Sequence, residues 1–469
     1  MIFFILSCTA SVKNRSLEDI IPANSAAIAR ISSLSKAKNI LEIFIALKPE
    51  KLDFDGGVIR ELIMLLSKPE NGFSQDKPVG LVYLPSGKSI FFFQIEDRKK
   101  AESFIKSKKD KNEKSTDNIF KLQGKDIFAA FQDNFLLLSE SRPDIASQLA
   151  LTLPTDFRKA FPSVVKEIKE KIPEFLLYID IPKAKLKEME NLPFKGKSFL
   201  LSVNTQQTDF AFAQLEVEPS PLVNQYTSGS QIEWDISNLL PDSPLVLIRT
   251  GIPTAIAENL LPLLIGAKVI KPFSSFAPEI IQKSEGISLA LLAPKSGSEG
   301  NYTQNMMNLI LSGQNMQSVL KNPILNQIVL LIKLKEPDDM QKTLNEIQKL
   351  SLKTKDKYDI QIELGGPSKD DPNSVLFSYG SYKGMVSLKD STLVVKSANQ
   401  GKSSSRKSLP DKMKGKNIAC CLVEVETLTK LSENIPVAGQ VLGKIPWKQI
   451  SGELVQNEAR FTLILSGEK

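Results

Sequence analysis

Residues 21–30 read IPANSAAIAR, and residues 240–249 read LPDSPLVLIR. Each is a proline-led polar turn that opens into an aliphatic run closed by an arginine, the pattern of a turn feeding a strand. Pro22 and Pro241 lie 219 residues apart, and so do Arg30 and Arg249. Self-similarity at a long offset sets the architecture before any single element does.

Further matches follow this pair in the same order along the chain. Val82 to Leu84 and Ser89 to Ile95 correspond to Ser288 to Leu292 and Ile328 to Leu334, and each series runs into an acidic helix start. Phe131 to Leu138 corresponds to Leu388 to Val395, a strand, a tight polar turn and a strand. Phe175 to Asp180 corresponds to Ala419 to Glu424, and Ser198 to Val203 with Thr208 to Val217 corresponds to Gln449 to Leu454 with Ala459 to Leu465. These matches predict an α+β fold of two tandem, internally duplicated lobes, each a mostly antiparallel sheet with packed amphipathic helices. Helical spacing of apolar residues appears at Lys36 to Ile45 and at Asp339 to Leu350, where Met340, Leu344, Ile347 and Leu350 share a face. The seam is EPSPLVNQYTSGSQI, rich in linker residues. The expected organisation is therefore 1–18 a signal remnant and tether, 19–217 the first repeat, 218–232 the linker and 233–469 the second repeat.

Composition removes whole classes of chemistry. The 469 residues carry 60 basic and 53 acidic side chains, a net charge of +7, and no histidine. Imidazole is the side chain that titrates near neutrality, so Ser-His-Asp and Cys-His catalysis, His-ligated metals and histidine switches are excluded. The three cysteines, Cys8, Cys420 and Cys421, form no Cys-x-x-Cys spacing for zinc, iron-sulfur or dithiol chemistry. Neighbours on a strand point to opposite faces, which gives at least one of Cys420 and Cys421 a place in the core. Lysine runs such as Lys99, Lys100, Lys106, Lys108 and Lys109 are interleaved with Asp97, Glu102 and Asp110, a solvated face rather than a phosphate-binding stripe, and no nucleic acid is expected.

Several short motifs fail on inspection. Gly-Lys-Ser occurs at Gly87, Gly196 and Gly401, but a phosphate-binding loop needs a glycine five residues earlier, where Val82, Asn191 and Lys396 stand. Pro85-Ser86-Gly87 reads instead as a hairpin turn, and Gly365-Gly366-Pro367 as another turn. Ser33-Leu34-Ser35-Lys36 has Ser-x-x-Lys spacing, but no companion Lys-Thr-Gly or Ser-Asp-Asn is present, and a serine helix cap explains it. Asp110 to Asp117 lacks the glycine of a calcium loop and has Lys121 where its last ligand belongs. The pairs Asp338-Asp339 and Asp370-Asp371 sit in charged turns, and Phe91-Phe92-Phe93, Trp234 and Trp447 read as core aromatics. No catalytic residue, metal ligand or cofactor is assigned.

The N-terminus reads MIFFILSC and turns polar at Thr9. A small residue before a cysteine, after an apolar run, resembles the lipobox of bacterial lipoproteins, with Cys8 as the acylated residue. The six apolar residues fall short of the ~7–15 of a full signal core, and no Lys or Arg precedes them; a leader starting further upstream would supply both. The other reading of MIFFIL is a first buried strand. No other segment approaches the ~20 apolar residues of a spanning helix, Leu260 to Ile270 being short and interrupted by Lys268.

Together, the lipobox-like start, IIPANSAAIAR, its echo LLPDSPLVLIR and the closing GELVQNEARFTLIL resemble an uncharacterised family of Bacteroidales lipoproteins that open with an Ile-Pro-Ala-(Asp/Asn) strand. The resemblance implies a lipid-anchored protein of a Gram-negative envelope. Thr9 to Lys13 lacks the acidic residues that mark surface export in such organisms, which implies the periplasmic side. It supplies no catalytic residue. The expected function is a non-enzymatic binding or structural module held to the membrane by its lipid, with an envelope protein, peptide or other envelope component as partner. The alternative is a histidine-independent hydrolase or transferase with a carboxylate or Ser/Lys site in an inter-lobe cleft, and a third reading is a carrier of an apolar molecule.

Overall fold

The computed structural model of the protein describes residues 14–37, 63–110, 118–123, 126–184, 195–219, 232–240, 244–251, 283–292, 323–349, 352–355, 361–367, 373–398, 400, 409–410, 414, 417–432, 447–457 and 460–468. The chain divides into two compact units, Met1–Glu218 and Pro219–Lys469. Both are α+β, dominated by antiparallel sheet. The interior of the stretch read as a linker, 220–231, lies outside the described residues.

The strands of the first unit are β1 (Ala27–Ile31), β2 (Val79–Tyr83), β3 (Ser89–Gln94), β4 (Ile119–Lys121), β5 (Phe128–Gln132), β6 (Phe135–Ser139), β7 (Phe175–Asp180), β8 (Gly196–Val203) and β9 (Asp209–Val217). They pair in the order β4-β5-β6-β3-β2-β1-β7-β8-β9, each antiparallel to its neighbour. The IPANSAAIAR strand is thus central, with Ile28 facing Val82 on one side and Tyr178 on the other. The β2–β3 hairpin closes on the expected turn, where Gly87 takes φ +83° and the Leu84 amide donates to the Lys88 carbonyl at 2.8 Å. Asp133, with φ +48°, makes the β5–β6 turn, a conformation Asp tolerates because its short side chain bonds locally.

Helix α1 (Arg98–Ser107) starts at Asp97, whose carboxylate accepts the Lys100 amide at 3.1 Å; α2 (Arg142–Leu149) starts at Ser141; α3 (Pro162–Lys171) carries proline in its first turn. One sheet face packs Ile28, Val82, Phe92 and Leu137 against Val164 of α3, the adjoining turn with Phe157 and Phe161, and Leu17, Ile20 and Ile21. The other packs Phe93, Leu136 and Leu138 against Ala101 and Ile105 of α1. Each such fully buried Leu or Phe contributes about 1.5–3 kcal/mol.

Asn14 to Glu18, assigned to a tether from the sequence, are part of this folded body. Leu17 is 1% exposed and seated on β2, where a Cβ at Gly80 would come within 2.8 Å of it. Arg15 pairs with Asp133 at 2.7 Å and Glu18 with Arg30 at 3.2 Å. An aliphatic side chain that fills a cleft in the sheet cannot belong to a solvated linker.

The second unit contains β10 (Pro244–Gly251), β11 (Ser284–Leu292), β12 (Ile328–Leu334), β13 (Leu352–Lys355), β14 (Gln361–Leu364), β15 (Ser374–Tyr379), β16 (Tyr382–Lys389), β17 (Thr392–Ser397), β18 (Ala419–Glu424), β19 (Gln449–Asn457) and β20 (Arg460–Glu468). Their order is β13-β14-β15-β16-β17-β12-β11-β10-β18-β19-β20, again antiparallel throughout. Helix α4 (Pro337–Lys349) follows β12 and sets Met340 and Leu344 on Ile332, Val375 and Leu393. Helix α5 (Val425–Ser432) follows β18. The opposite face buries Leu247, Ala290, Val329, Leu331 and Cys420 under Trp234, Ile236 and Leu240.

Candidate functional site

Strand β10 carries the unbroken aliphatic run Leu245 to Ile248, so both of its faces are apolar there, and the two are treated differently. Leu247 and Arg249 point into the core with Trp234, while Val246 and Ile248 point the other way. On that second face the registers set one row across five strands: Cys421 opposite Ile248, Ile248 opposite Leu289, Leu289 opposite Leu330 and Leu330 opposite Val395. No side chain in the row is charged. Helix α4 packs over its β12–β17 end, where Leu330 and Val395 join the Met340 cluster. Leu428 of α5, like Val246 and Leu291, packs against the buried Leu245 and Ile324 further along. Between them, Ile248 is 51% and Leu289 47% exposed. Among the described residues, this is an adjacent cross-strand pair of large aliphatic side chains left half in water, beside the parts of the face that α4 and Leu428 cover.

Behind this face lies Arg249, 1% exposed and the largest of the fully buried side chains among the described residues. One guanidinium nitrogen donates to the Trp234 carbonyl and another to Asn417 Oδ1 at 2.8 Å. The charge thereby ties the Trp234 segment and the start of β18 to β10. Cys420 sits directly opposite Arg249. Burial pushes its thiol above the ordinary range, and the guanidinium only partly opposes this. Burial likewise raises Cys421, on the other face. Both are neutral thiols at pH 7, and neither is an activated nucleophile. In the first unit Arg30, near the end of β1, pairs with Glu18, with its Nη1 buried and without a hydrogen-bond partner among the described residues.

The sequence-derived candidates fall as follows. Cys8, Gly401, Asp370-Asp371 and the run from Lys111 to Asp117 lie outside the described residues, as do Leu260 to Ile270 and the helical stretch beyond Ala37. The Ser33–Lys36 motif is a helix start: Ser33 Oγ accepts the Lys36 amide at 3.3 Å, and the Lys36 ammonium bonds Glu174 at 2.5 Å instead of standing beside a serine. Glu174 is partly buried, which alone would raise its pKa, but bonds from Lys36 and Thr205 outweigh burial and hold it below the usual carboxylate range. Asp339 lies in the first turn of α4 with Lys283 at 3.7 Å. Phe92, Phe93, Trp234 and Trp447 are buried. Sequence reasoning did not single out Ile248 and Leu289; the only signal was the unbroken aliphatic run Leu245 to Ile248.

No protein-family model matches the chain, and no curated protein matches it. Among solved structures, crystal form IV of TP0453 is 12% identical with a TM-score of 0.27, covering 43% of this chain and 80% of that one. Crystal form III of TP0453 is 11% identical with a TM-score of 0.28, covering 47% of this chain and 89% of that one. Likeness at this level carries no conclusion about fold or function.

Proposed function

We propose that this chain is a lipid-anchored protein of the cell envelope, facing the periplasm, that binds a partner polypeptide through the open apolar face of its second unit and transforms no substrate. The observation that carries the binding reading is the cross-strand pair Ile248 and Leu289, about half exposed and flanked on its row only by uncharged residues. The anchoring reading rests on the lipobox-like Ile5-Leu6-Ser7-Cys8. The body is a tandem duplication of one α+β unit. Supporting that origin, β10, β11, β12, β15, β16, β17, β18, β19 and β20 stand in the same order as β1 to β9, and the two β-turns built on Asp133 and Asp390 both use a left-handed aspartate. In the first unit the residue at the place of Ile248 is Ala29, half-buried, so the face has diverged in the second.

Two measurements test this reading. Detergent phase partitioning with intact mass, comparing wild type with Cys8→Ala, tests the anchor: an acylated Cys8 in the detergent phase is expected, and an aqueous wild type that retains residues 1–7 refutes it. A photo-crosslinking residue at position 289, in cells, tests the face. The expected result is a crosslink to an envelope polypeptide that disappears when Ile248→Lys is added to a folded protein. Equal crosslinking from Lys335, which is exposed outside this face, overturns it.

A further inference from the structure

Helix α3 ends at Lys171, and the next residue, Ile172, adopts φ +45° and ψ +61°. A left-handed conformation is normally given to glycine or asparagine at a helix C-terminus, and a β-branched residue there is an outlier. Pro173 follows, and a residue before proline is further pressed toward extended backbone. The conformation is held from both sides. Asn204 Nδ2 donates to the carbonyls of Lys171 at 3.1 Å and Ile172 at 3.3 Å, and the Glu174 amide donates to Val203 at 2.8 Å. This strain gains no packing, because Ile172 is 70% exposed, the highest value for any large apolar side chain among the described residues. Strain retained without a packing return points to a role outside the fold.

The position of the N-terminal segment says what that role is. The folded body begins with a clamp at Asn14 and Arg15: Arg15 pairs with Asp133, its amide donates to Asn134 Oδ1 at 3.1 Å, and Asn134 Nδ2 donates back to the Arg15 carbonyl at 3.2 Å. Arg98 adds a bond to the Asp133 carbonyl at 2.8 Å. The registers place this clamp and Ile172 at one end of the sheet. Phe175, three residues after Ile172, pairs with Ile31, and Ile31 with Val79, while Phe135, just past the clamp, pairs with Gln94 on β3. From β6 to β7 is four strand spacings, about 19 Å. Between Cys8 and Asn14 stand five residues, which extended reach at most roughly 22 Å.

We propose that this end of the first unit lies against the bilayer that holds Cys8, with Ile172 inserted at the level of the acyl chains and Lys169 near the headgroups. The proposal rests on the anchoring reading above. An exposed aliphatic tip is the chemistry of an interfacial contact; beside it Lys169 is exposed next to Glu170, and Lys171 is held by Glu167.

The test uses the full acylated chain carrying Cys420→Ala and Cys421→Ala, with Ile172→Cys labelled by an environment-sensitive fluorophore, on phosphatidylethanolamine/phosphatidylglycerol vesicles. Ser86→Cys, in the β2–β3 hairpin at the other end of the sheet, is the reference. The expected result is a blue shift and a several-fold rise in emission at 172, quenched by spin-labelled lipid, with 86 unchanged. If the protein floats with the vesicles and mass shows the acyl chain, yet 172 stays water-like, the proposal is overturned while anchoring stands. If no acyl chain is found, anchoring fails and takes the proposal with it.

Discussion

Replacing Arg249 by methionine keeps most of the buried stem and deletes the guanidinium. The Trp234 carbonyl and Asn417 Oδ1 then lose their donors in a site where Arg249 and Asn417 are each 1% exposed. An unpaired buried acceptor costs about 1–3 kcal/mol, and removal of the expensive buried charge offsets part of the loss, so the net destabilisation is about 2–4 kcal/mol. For a unit of this size that is a fall of roughly 5–15 °C in Tm. Arg30→Met is the internal control. Its partner Glu18 is 3.2 Å away, with side chains 13% and 23% exposed, and solvent reduces the expected loss to about 0.5–1 kcal/mol. Urea unfolding of both variants, with hydrogen exchange on the β10 and β18 peptides, measures the difference. Equal losses at the two positions, or a stabilised Arg249→Met, would show that the guanidinium is only a buried burden and refute the account of it as a tie.

Gly384 faces Phe377 across β15–β16, and a Cβ there would sit 2.2 Å from the ring's Cζ; Gly384→Ala should cost about 1–3 kcal/mol in thermal unfolding, and Phe377→Leu should recover part of it. Because Glu174 has a depressed pKa, its contribution is complete above the ordinary value of 4.5 and is lost as pH falls through the lower folded value. Glu174→Gln should therefore flatten the acid limb of a stability-pH curve below 4.5 and lower stability at pH 7; an unchanged acid limb contradicts the Lys36 and Thr205 bonds. Leu289→Lys should change stability by under about 1 kcal/mol, as a half-exposed site allows, whereas Leu331→Lys, fully buried on the neighbouring strand, should unfold the second unit in the same denaturation assay.

The strands and turns were legible because their signals are local. Pro85-Ser86-Gly87 announces a hairpin, Asp133-Asn134 and Asp390-Ser391 announce tight turns, and the structure puts each between paired strands. Met340 and Leu344 gave α4 by their spacing. The pair β13–β14 was not legible, since Leu352–Lys355 holds one large apolar residue and alternates only weakly. Nor was the burial of Arg249. An arginine closing an aliphatic run reads as the solvated end of a strand, and only the distant Trp234 and Asn417 turn it into a core residue.

Neither Ile248 nor Ile172 could be found by pattern, and for the same physical reason. Periodicity tells which residues share a face but not whether a face is covered, because the cover comes from helices placed by the sheet's connections. Ile248 and Leu247 are equally apolar neighbours in sequence. Leu247 is buried because Trp234 and Leu240 return over it, whereas Ile248 is half exposed and, among the described residues, lies between α4 and Leu428. Helix-stop rules likewise expect glycine or asparagine after Lys171 and would slide past isoleucine. What makes that residue left-handed is Asn204, on the β8–β9 turn thirty-two residues away. A site defined by exposure or by imposed strain is a property of the assembled sheet, so the variants that probe it must leave the sheet intact, and half-exposed Leu289 and mostly exposed Ile172 meet that condition.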